Sequence, residues 1–401
     1  MNSRLNILNP YPFEKLAKLF AGVTPPANFA PINISIGEPK HPVAPFLREA
    51  MANALDGISI YPTTKGQLPL RQAAASWCEK RFNLPTGAVD PEKNLLPVNG
   101  TREALYSFAQ AVLDESSPGL VVMPNPFYQI YEGAALMYGG TPYLVSATAK
   151  TGFLPDYENL PEEVLQKTRL MYICTPSNPT GAVFSRERLM GLIELAHKYD
   201  FVIASDECYS EIWYDLPPSG LLEAAWQAGH KDFSRCVIFH SLSKRSNMPG
   251  ARSGFVAGDG EILKKYLHLR TYTGCATPPF VQDVATLAWS DESHVEANRV
   301  LYRQKLAEAE EILSPVLPVE RPQAGFYLWL RVPGGGEAFA KRLLEQFNVT
   351  VLPGGYLGRP TPTGNPGDPF IRVAMVASLE ENREAMKRIA RLANLFDCGC
   401  S

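Results

Sequence analysis

Three short apolar runs, each followed at once by polar residues, decide the fold of this chain. They read LMYICTPSNPTG at residues 170–181, FVIASDECY at residues 201–209 and CVIFHSLSK at residues 236–244. The segment Arg186–His197, between the first and second runs, has the periodicity of a helix. Short runs that are apolar on both faces and alternate with helices indicate a mostly parallel sheet covered by helices on both sides.

The same alternation extends outward from these runs as far as about residue 290. Further runs of this kind are Leu120–Met123, Tyr143–Val145 and Ser253–Ala257, and a helical period covers Thr101–Leu113. Beyond residue 290 the pattern changes to long helical segments and strands that alternate apolar and polar residues. These segments are Val295–Leu313, Gly325–Val332, Phe370–Val376 and a last helix near Glu380–Leu395. They indicate a smaller domain of the α+β type.

We therefore predict an α/β fold with a mostly parallel central sheet sandwiched by helices, plus a smaller α+β domain. The large domain is expected at residues 44–290, and residues 291–401 are expected to form the C-terminal part of the small domain. The first forty residues contain six prolines. They predict an extended arm over residues 1–43, with one short helix around Phe13–Phe20, that contributes to the small domain.

Composition excludes several classes of protein. The 401 residues are 45% apolar, which disfavours disorder, and their net charge of −3 disfavours a general nucleic-acid binder. Seven scattered Cys without a CxxC pair, and six His without HxH or HExxH, predict neither a disulfide framework nor a metal site. No signal peptide or membrane span is recognisable, so we expect a cytoplasmic protein. Cys398 and Cys400 are expected in a tail, and a redox or metal role for them stays open.

The polar residues that follow the apolar runs carry the candidate chemistry. They are Asn178, Asp206 with Tyr209, and Lys244 with Arg252 eight residues later. Each has an ordinary alternative explanation as a turn, a helix cap or a solvated side chain. The carboxyl ends of parallel strands meet at one edge of a sheet, so these residues are expected to converge. A lysine amine, an acid and groups for a phosphate are what pyridoxal phosphate requires. No Walker A or GxGxxG sequence offers a nucleotide site instead.

The motifs Ser177-Asn178-Pro179-Thr180-Gly181 and Ser241-x-Ser243-Lys244, followed by Pro249-Gly250-x-Arg252-x-Gly254, carry a family resemblance. Over nearly its whole length the chain resembles the fold-type I, class I and II aminotransferases that depend on pyridoxal phosphate. The resemblance implies that Lys244 forms the Schiff base with the cofactor and transfers the proton between Cα and C4′. It also implies that Asp206 pairs with the pyridinium nitrogen, and that Asn178 and Tyr209 bind the phenolic oxygen.

The resemblance assigns the remaining cofactor and substrate contacts as well. The expected phosphate ligands are Gly100, Thr101, Arg102, Ser241, Ser243 and Arg252, with the first three at a helix N-terminus that suits an anion. Tyr128 is expected to stack on the pyridine ring, and Phe127 is the competing candidate. Tyr61 is expected to reach the phosphate of a partner subunit, which implies a homodimer with arm contacts and shared sites. For the substrate α-carboxylate, the expected ligands are Arg372 as a bidentate clamp, Asn178 and the backbone of Gly37.

Longer runs are similar to the bacterial succinyldiaminopimelate aminotransferases of lysine biosynthesis. These runs are Ile34–Pro42, Asn125–Gly133, Ser243–Gly254 and Leu352–Arg359. The implied reaction exchanges an amino group between glutamate, which becomes 2-oxoglutarate, and N-succinyl-2-amino-6-oxopimelate. Because both partners are polyanions, further cations are needed, and Arg245, Lys65 and Arg359 are the candidates.

Other readings stay open at this stage. An aspartate, alanine or aromatic aminotransferase would show the same cofactor motifs. So would a β-lyase or an eliminase like aminocyclopropane-carboxylate synthase, because both keep Lys244 and Asp206. A regulator built on the same fold is disfavoured, because no basic helix-turn-helix extension precedes the arm.

Overall fold

A computed structural model describes residues 1–397 of the chain, so the prediction about Cys398 and Cys400 falls outside the described residues. The helices are α1 (Pro12–Leu19), α2 (Pro45–Asn53), α3 (Leu68–Arg81), α4 (Thr101–Val112), α5 (Gln129–Met137), α6 (Glu162–Lys167), α7 (Arg186–Tyr199), α8 (Leu221–Gln227), α9 (Leu242–Arg245), α10 (Gly260–Thr273), α11 (Pro279–Ser290), α12 (Ser293–Leu313), α13 (Gly336–Phe347) and α14 (Leu379–Asp397). The strands are β1 (Ile32–Asn33), β2 (Leu95–Val98), β3 (Leu120–Asn125), β4 (Thr141–Ser146), β5 (Thr168–Cys174), β6 (Val202–Asp206), β7 (Cys236–Ser241), β8 (Gly254–Gly258), β9 (Tyr327–Arg331), β10 (Val349–Thr350), β11 (Leu352–Pro353) and β12 (Phe370–Ala374).

The central sheet has seven strands in the order β2-β8-β7-β6-β5-β3-β4. Strand β8 runs antiparallel to both of its neighbours, and the remaining pairs are parallel. This confirms the predicted fold class. The sequence pattern missed β2, which has only four residues and includes Pro97. A proline lacks the N–H that a central strand must donate, and it is accommodated here because β2 is an edge strand.

Both faces of the central sheet are buried, which is why its strands are apolar throughout. On β6, Ile203 packs into a core shared with α7, α8 and α11, whereas its neighbour Ala204 packs into a core shared with α4 and α5. Successive side chains of a strand point to opposite faces, so a sheet covered on both sides needs apolar residues at every position. The carboxyl ends of β5, β6 and β7 remain uncovered by these helices and meet at one edge.

The small domain is built on a three-stranded antiparallel sheet in the order β11-β12-β9. The arm completes it, because β1 pairs in parallel with β10 and the arm residues Ile32 and Ile34 are buried in its core. Apolar and polar residues alternate along β9, as expected, but the two faces of the strand are both buried, each against a different core. Leu328 and Leu330 pack into the small-domain core, whereas Trp329 packs against Phe370 and the large-domain core. The boundaries at residues 43 and 290 remain predictions.

Among residues 1–397, no helix is both long enough and apolar enough to cross a membrane.

Candidate active site

A cavity of about 480 Å³ lies where the carboxyl ends of β5, β6 and β7 face the arm and the small domain. It brings together most of the residues that the sequence singled out. The predicted site residues that line it are Gly37, Thr101, Arg102, Tyr128, Asn178, Asp206, Tyr209, Ser241, Ser243, Lys244, Arg252 and Arg372. Convergence at this sheet edge follows from the parallel register, in which Cys174 of β5 lies beside Asp206 of β6.

Lys244 lies on the short helix α9, which begins where β7 ends. The hydroxyl of Ser241 caps this helix by accepting a hydrogen bond from the backbone N–H of Ser243, 3.1 Å away. The Nζ of Lys244 donates a 2.5 Å hydrogen bond to the carbonyl oxygen of Gly37 in the arm. Burial lowers the pKa of Lys244 to about 8, with a further contribution from the charge of Arg372. The lowered pKa therefore makes the neutral, nucleophilic amine far more abundant near neutral pH than it is for an ordinary lysine.

Asp206 ends β6 and is buried. Its Oδ2 accepts a 2.7 Å hydrogen bond from the hydroxyl of Tyr131, and its Oδ1 accepts one of 3.3 Å from the backbone N–H of Cys208. Burial raises the pKa of Asp206, while these hydrogen bonds act in the opposite direction. A buried carboxylate is stabilised by a cation on its open side, and a protonated pyridine nitrogen is a cation of that kind.

Tyr209 follows Asp206 and is buried against the small domain. Its hydroxyl lies 3.1 Å from the hydroxyl of Tyr327 on β9. Tyr327 also explains the glycine at position 37, because a Cβ added there would lie 1.8 Å from the Tyr327 hydroxyl. Sequence reasoning placed Tyr327 in an alternating strand but did not recognise it as a site residue. No motif surrounds it, and only the folded contacts reveal its place.

Arg372 lies on β12 and is 5% exposed. Its Nη1 donates to the side-chain oxygen of Asn178 at 3.0 Å, and its Nη2 donates to the carbonyl oxygen of Ser35 at 2.8 Å. The guanidinium also stacks on Tyr327, with its carbon 4.4 Å from the ring centroid, and its Nε has no hydrogen-bond partner. Neither hydrogen-bond acceptor carries a charge. The guanidinium can therefore receive a substrate carboxylate, which would neutralise it.

The opposite end of the cavity has the features of an anion site. Gly100 precedes the N-terminus of α4 with φ +82°, and a Cβ added to it would lie 2.3 Å from Nη2 of Arg252. The glycine therefore permits the arginine to approach the free N–H groups of that helix. The hydroxyls of Ser241 and Ser243 lie 2.9 Å apart in the same wall. Helix N–H groups, two hydroxyls and a guanidinium are suitable ligands for a phosphate dianion.

Of the two aromatic candidates for stacking on a ring, only Tyr128 lines the cavity. Its hydroxyl accepts a 2.6 Å hydrogen bond from Nε of Arg102. Phe127 is 1% exposed and belongs to the core under the sheet. Of the two candidates, Tyr128 is therefore the one that can contact a ring in the cavity.

Tyr61 is not among the residues that line the cavity of its own chain. Its side chain is 98% exposed on the surface. The expected contact with a partner's phosphate thus remains a prediction about a second subunit.

The three cations suggested for a distal carboxylate do not line this cavity. Arg245 is buried elsewhere, where it donates to the carbonyl oxygens of Ala288 and Asp291 and forms an ion pair with Glu292. Its guanidinium is used within the protein and does not reach this cavity, so the structure gives no support to Arg245 as a substrate ligand.

Lys65 and Arg359 are also committed to contacts outside the cavity. Lys65 forms an ion pair with Glu92, and Arg359 makes a two-pronged contact with Glu132, with its Nε 2.9 Å from Oε1. Neither residue reaches the cavity of its own chain, so their roles as substrate ligands remain predictions.

The cavity fits pyridoxal phosphate in its chemistry. Lys244 supplies an amine of lowered pKa, Asp206 supplies an acid without a protein cation beside it, and the wall at Gly100 and Arg252 supplies the anion site. Among residues 1–397, no group of three or more His, Cys, Asp or Glu is arranged to hold a metal ion.

Comparison with known proteins identifies the family. The family model described as aminotransferase class I and II matches residues 30–389 of the chain. The chain belongs to this family. Aminotransferases of these classes use pyridoxal phosphate, so the enzyme is a transaminase with that cofactor.

Two solved aminotransferases share the fold of the chain over almost their whole length. The enzyme of Neisseria meningitidis Z2491 has a TM-score of 0.93 and 44% identity, covering 98% of this chain and 100% of that one. The aminotransferase AspB of Helicobacter pylori has a TM-score of 0.89 and 36% identity, covering 96% and 99%.

Among curated relatives, the LL-diaminopimelate aminotransferase of Aquifex aeolicus is 32% identical over 98% of each chain. The enzyme of the same name from Moorella thermoacetica is 31% identical over 97% of each chain.

Proposed function

We propose that this aminotransferase exchanges the amino group between N-succinyl-L,L-diaminopimelate and 2-oxoglutarate in lysine biosynthesis, by a ping-pong reaction. The longer runs Ile34–Pro42 and Ser243–Gly254 resemble enzymes of that activity. The names of the relatives from Aquifex aeolicus and Moorella thermoacetica support a substrate of the diaminopimelate type. When the reaction runs in the opposite direction, toward N-succinyl-L,L-diaminopimelate, glutamate is the proposed amino donor.

The observation that carries the proposal is an exposed cation in the cavity wall. Arg102 is exposed, lines the cavity and donates through Nε to Tyr128, which has no charge. Glutamate and the succinylated substrate both carry an α-carboxylate and a second, distal anionic group. We assign the α-carboxylate to Arg372 and the distal group to the guanidinium of Arg102, in place of Arg245, Lys65 and Arg359. This proposal replaces the phosphate contact that the resemblance implied for Arg102.

The roles of the chain's own residues follow from this assignment. When bound, pyridoxal phosphate supplies an electron sink for the charge that develops at the substrate Cα. Lys244 holds the cofactor and moves the proton at Cα, and Asp206 holds the proton on the pyridine nitrogen. Arg372 orients the substrate through its carboxylate, so that the proton at Cα faces Lys244.

Free LL-diaminopimelate is a second candidate substrate, and one residue favours it. Glu38 is exposed, lines the cavity and lies near enough to Lys244 to raise its pKa. Free LL-diaminopimelate carries a distal ammonium that this carboxylate could bind, whereas the succinyl amide of the acylated substrate carries no positive charge.

The test compares initial rates on the two substrates and on aspartate, alanine and phenylalanine, with 2-oxoglutarate as acceptor. We expect the highest kcat/KM with N-succinyl-L,L-diaminopimelate, and little effect of Glu38→Gln on it. A preference for free LL-diaminopimelate that is lost in Glu38→Gln favours the second candidate. Preference for aspartate, alanine or phenylalanine contradicts both.

The same assay tests the role of Arg102. Arg102→Met is expected to lower kcat/KM for the dicarboxylic substrates about 10- to 100-fold and to leave alanine nearly unaffected, as loss of a charged hydrogen bond predicts. Arg331→Met, at an exposed position on β9, is the matched control. Release of pyruvate or ammonia without an oxo acid would show a β-lyase or eliminase instead.

We also propose a homodimer. Tyr61 lies in an exposed apolar segment with Leu55, Ile58 and Ile60, each more than half exposed. Large apolar side chains grouped in one exposed segment are typical of a surface covered by a second copy of the chain.

A further inference from the structure

A buried lysine that has no carboxylate partner among residues 1–397 lies near the segment that carries Lys244. Lys305, on α12, is 4% exposed. Its Nζ lies 2.6 Å from Nε2 of His41, 3.3 Å from the carbonyl oxygen of Met375 and 2.5 Å from that of Ala377. An ammonium has three N–H groups, and here each has one uncharged acceptor. Lysines are rarely buried without an acidic partner, so Lys305 is an unusual residue in this core.

The contacts of His41 determine which of its ring nitrogens carries the proton. Asn298 donates through Nδ2 to the carbonyl oxygen of Lys244 at 3.4 Å, so its Oδ1 is the atom that lies 2.7 Å from Nδ1 of His41. An amide oxygen only accepts, so Nδ1 must carry the proton. The Nε2 of His41 is then free to accept from Lys305. The network requires a neutral imidazole in a single tautomer.

The network joins three segments that contribute to the active site. His41 belongs to the arm, four residues after Gly37. Asn298 binds the carbonyl oxygen of Lys244, and Lys305 binds the carbonyls that follow strand β12. The arm faces the cavity at Gly37, and β12 carries Arg372. One chain of hydrogen bonds therefore ties together the segments that present the substrate carboxylate to Lys244.

We propose that His41 and Lys305 are positioning residues, which align the arm, helix α9 with Lys244, and strand β12 with Arg372 for binding of the α-carboxylate. This inference rests on membership of the aminotransferase family and not on the identity of the natural substrate. Neither side chain lines the cavity. Their effect is exerted through the segments that they connect.

The charges around the network define the pH range in which it is complete. Burial lowers the pKa of His41, the charge of Lys305 lowers it further, and the hydrogen bond to Asn298 acts in the opposite direction. Burial lowers the pKa of Lys305 to about 8, with Glu381 of α14 raising it and Lys40 of the arm lowering it. The ring of Tyr302 also faces His41, with a centroid distance of 4.6 Å.

A change of protonation at either end of this pH range removes a hydrogen bond from the network. A proton added to Nε2 of His41 would turn an N–H toward the Lys305 ammonium and break their hydrogen bond. Loss of a proton from Lys305 at higher pH leaves two N–H groups for three acceptors. The network is thus complete between the pKa of His41 and about pH 8.

The kinetic test uses the holoenzyme with the amino donor and the 2-oxo acid on which the wild type is fastest. In His41→Asn the donor to Asn298 is kept and the acceptor for Lys305 is lost, whereas Lys305→Met removes the cation. We expect each variant to raise KM for both substrates about 10-fold while kcat changes less than about 3-fold. The rise in KM of the double variant should be much smaller than the product of the two single rises, because both residues belong to one network.

The exposed residue His268 provides the matched control, and His268→Gln is expected to leave KM unchanged. The rise of KM toward acid in the wild type should be absent in His41→Asn. Unchanged KM values, or single effects that multiply in the double variant, would overturn the proposal.

A second measurement does not depend on the activity of any variant. Imidazole nitrogen shifts in the ¹⁵N-histidine-labelled wild-type holoenzyme report the tautomer of His41 directly, and the signal missing in His41→Asn assigns it. Near pH 7.5 we expect Nδ1 protonated and Nε2 unprotonated. An Nε2–H tautomer, or an imidazolium at that pH, contradicts the network.

Discussion

The hydroxyl of Tyr131 donates a 2.7 Å hydrogen bond to the buried carboxylate of Asp206. Tyr131 is held in turn by stacking on Tyr172, with ring centroids 4.6 Å apart and planes 10° from parallel. The acid that we propose to face the cofactor nitrogen is therefore oriented by an aromatic pair in the core beneath the sheet. Burial of this carboxylate also has an energetic consequence, because burial raises its pKa.

Asp206→Asn is expected to have opposite effects on activity and on stability. A carboxylate whose folded pKa is raised contributes stability that is complete below its unfolded pKa and is lost as pH rises through the folded pKa. Near neutral pH, the buried and ionised Asp206 therefore destabilises the cofactor-free wild type. We expect Asp206→Asn to raise the Tm of the cofactor-free protein there, and to lower kcat by about 100-fold or more. A lower Tm in calorimetry, or near-wild-type turnover, would contradict the assignment.

Capture of the cofactor by the cofactor-free protein should depend on the pKa of Lys244. Because burial lowers that pKa to about 8, the neutral amine becomes the main form above about pH 8. We expect the rate of appearance of the cofactor's visible absorbance to rise with pH and to be half-maximal near that value. A midpoint near the ordinary lysine pKa would show that the amine is not desolvated as the structure indicates.

Arg372→Lys is expected to weaken both half-reactions. The substitution keeps the charge but removes the fork that binds a carboxylate with two parallel hydrogen bonds. Loss of hydrogen bonds to a charged group costs roughly 1.5–3 kcal/mol, or about 10- to 150-fold in kcat/KM. Stopped-flow measurement with each substrate checks this, and cofactor affinity should change little. Small losses in both half-reactions would assign the α-carboxylate to another arginine.

The sequence was sufficient to predict those site residues that stand next to a recognisable strand in the chain. Asn178, Asp206 and Lys244 each follow directly after an apolar run, and a parallel sheet necessarily brings such positions to one edge. The central strands could be predicted for the same reason, because burial on both faces requires uninterrupted apolar residues.

The remainder depends on contacts between residues far apart in sequence. The sequence indicated no role for Tyr131 or Tyr327, because their roles depend on the distance of their hydroxyls from Asp206 and Tyr209. Arg245 follows Lys244 directly, yet its side chain leaves α9 toward Trp289 and away from the cavity. Nothing in its sequence position distinguishes a substrate cation from one that binds the carbonyl groups of a neighbouring helix.

Hybrid dimers test the proposed sharing of sites through Tyr61. When Tyr61→Phe and Lys244→Ala subunits are mixed, a shared arrangement gives one site with both defects and one site with neither. We expect the mixture to be more active than either mutant homodimer. Activity equal to the sum expected from the separate homodimers would exclude a contribution of Tyr61 to the partner's site.

The central claim is that Lys244 holds the cofactor, and chemical trapping tests it most directly. Borohydride reduction of the holoenzyme fixes the pyridoxyl group on the lysine that carries it, and peptide mapping then identifies that lysine. We predict the label on Lys244, with loss of both label and transamination in Lys244→Ala. A pyridoxyl group found on any other lysine of the wild-type enzyme would contradict the account.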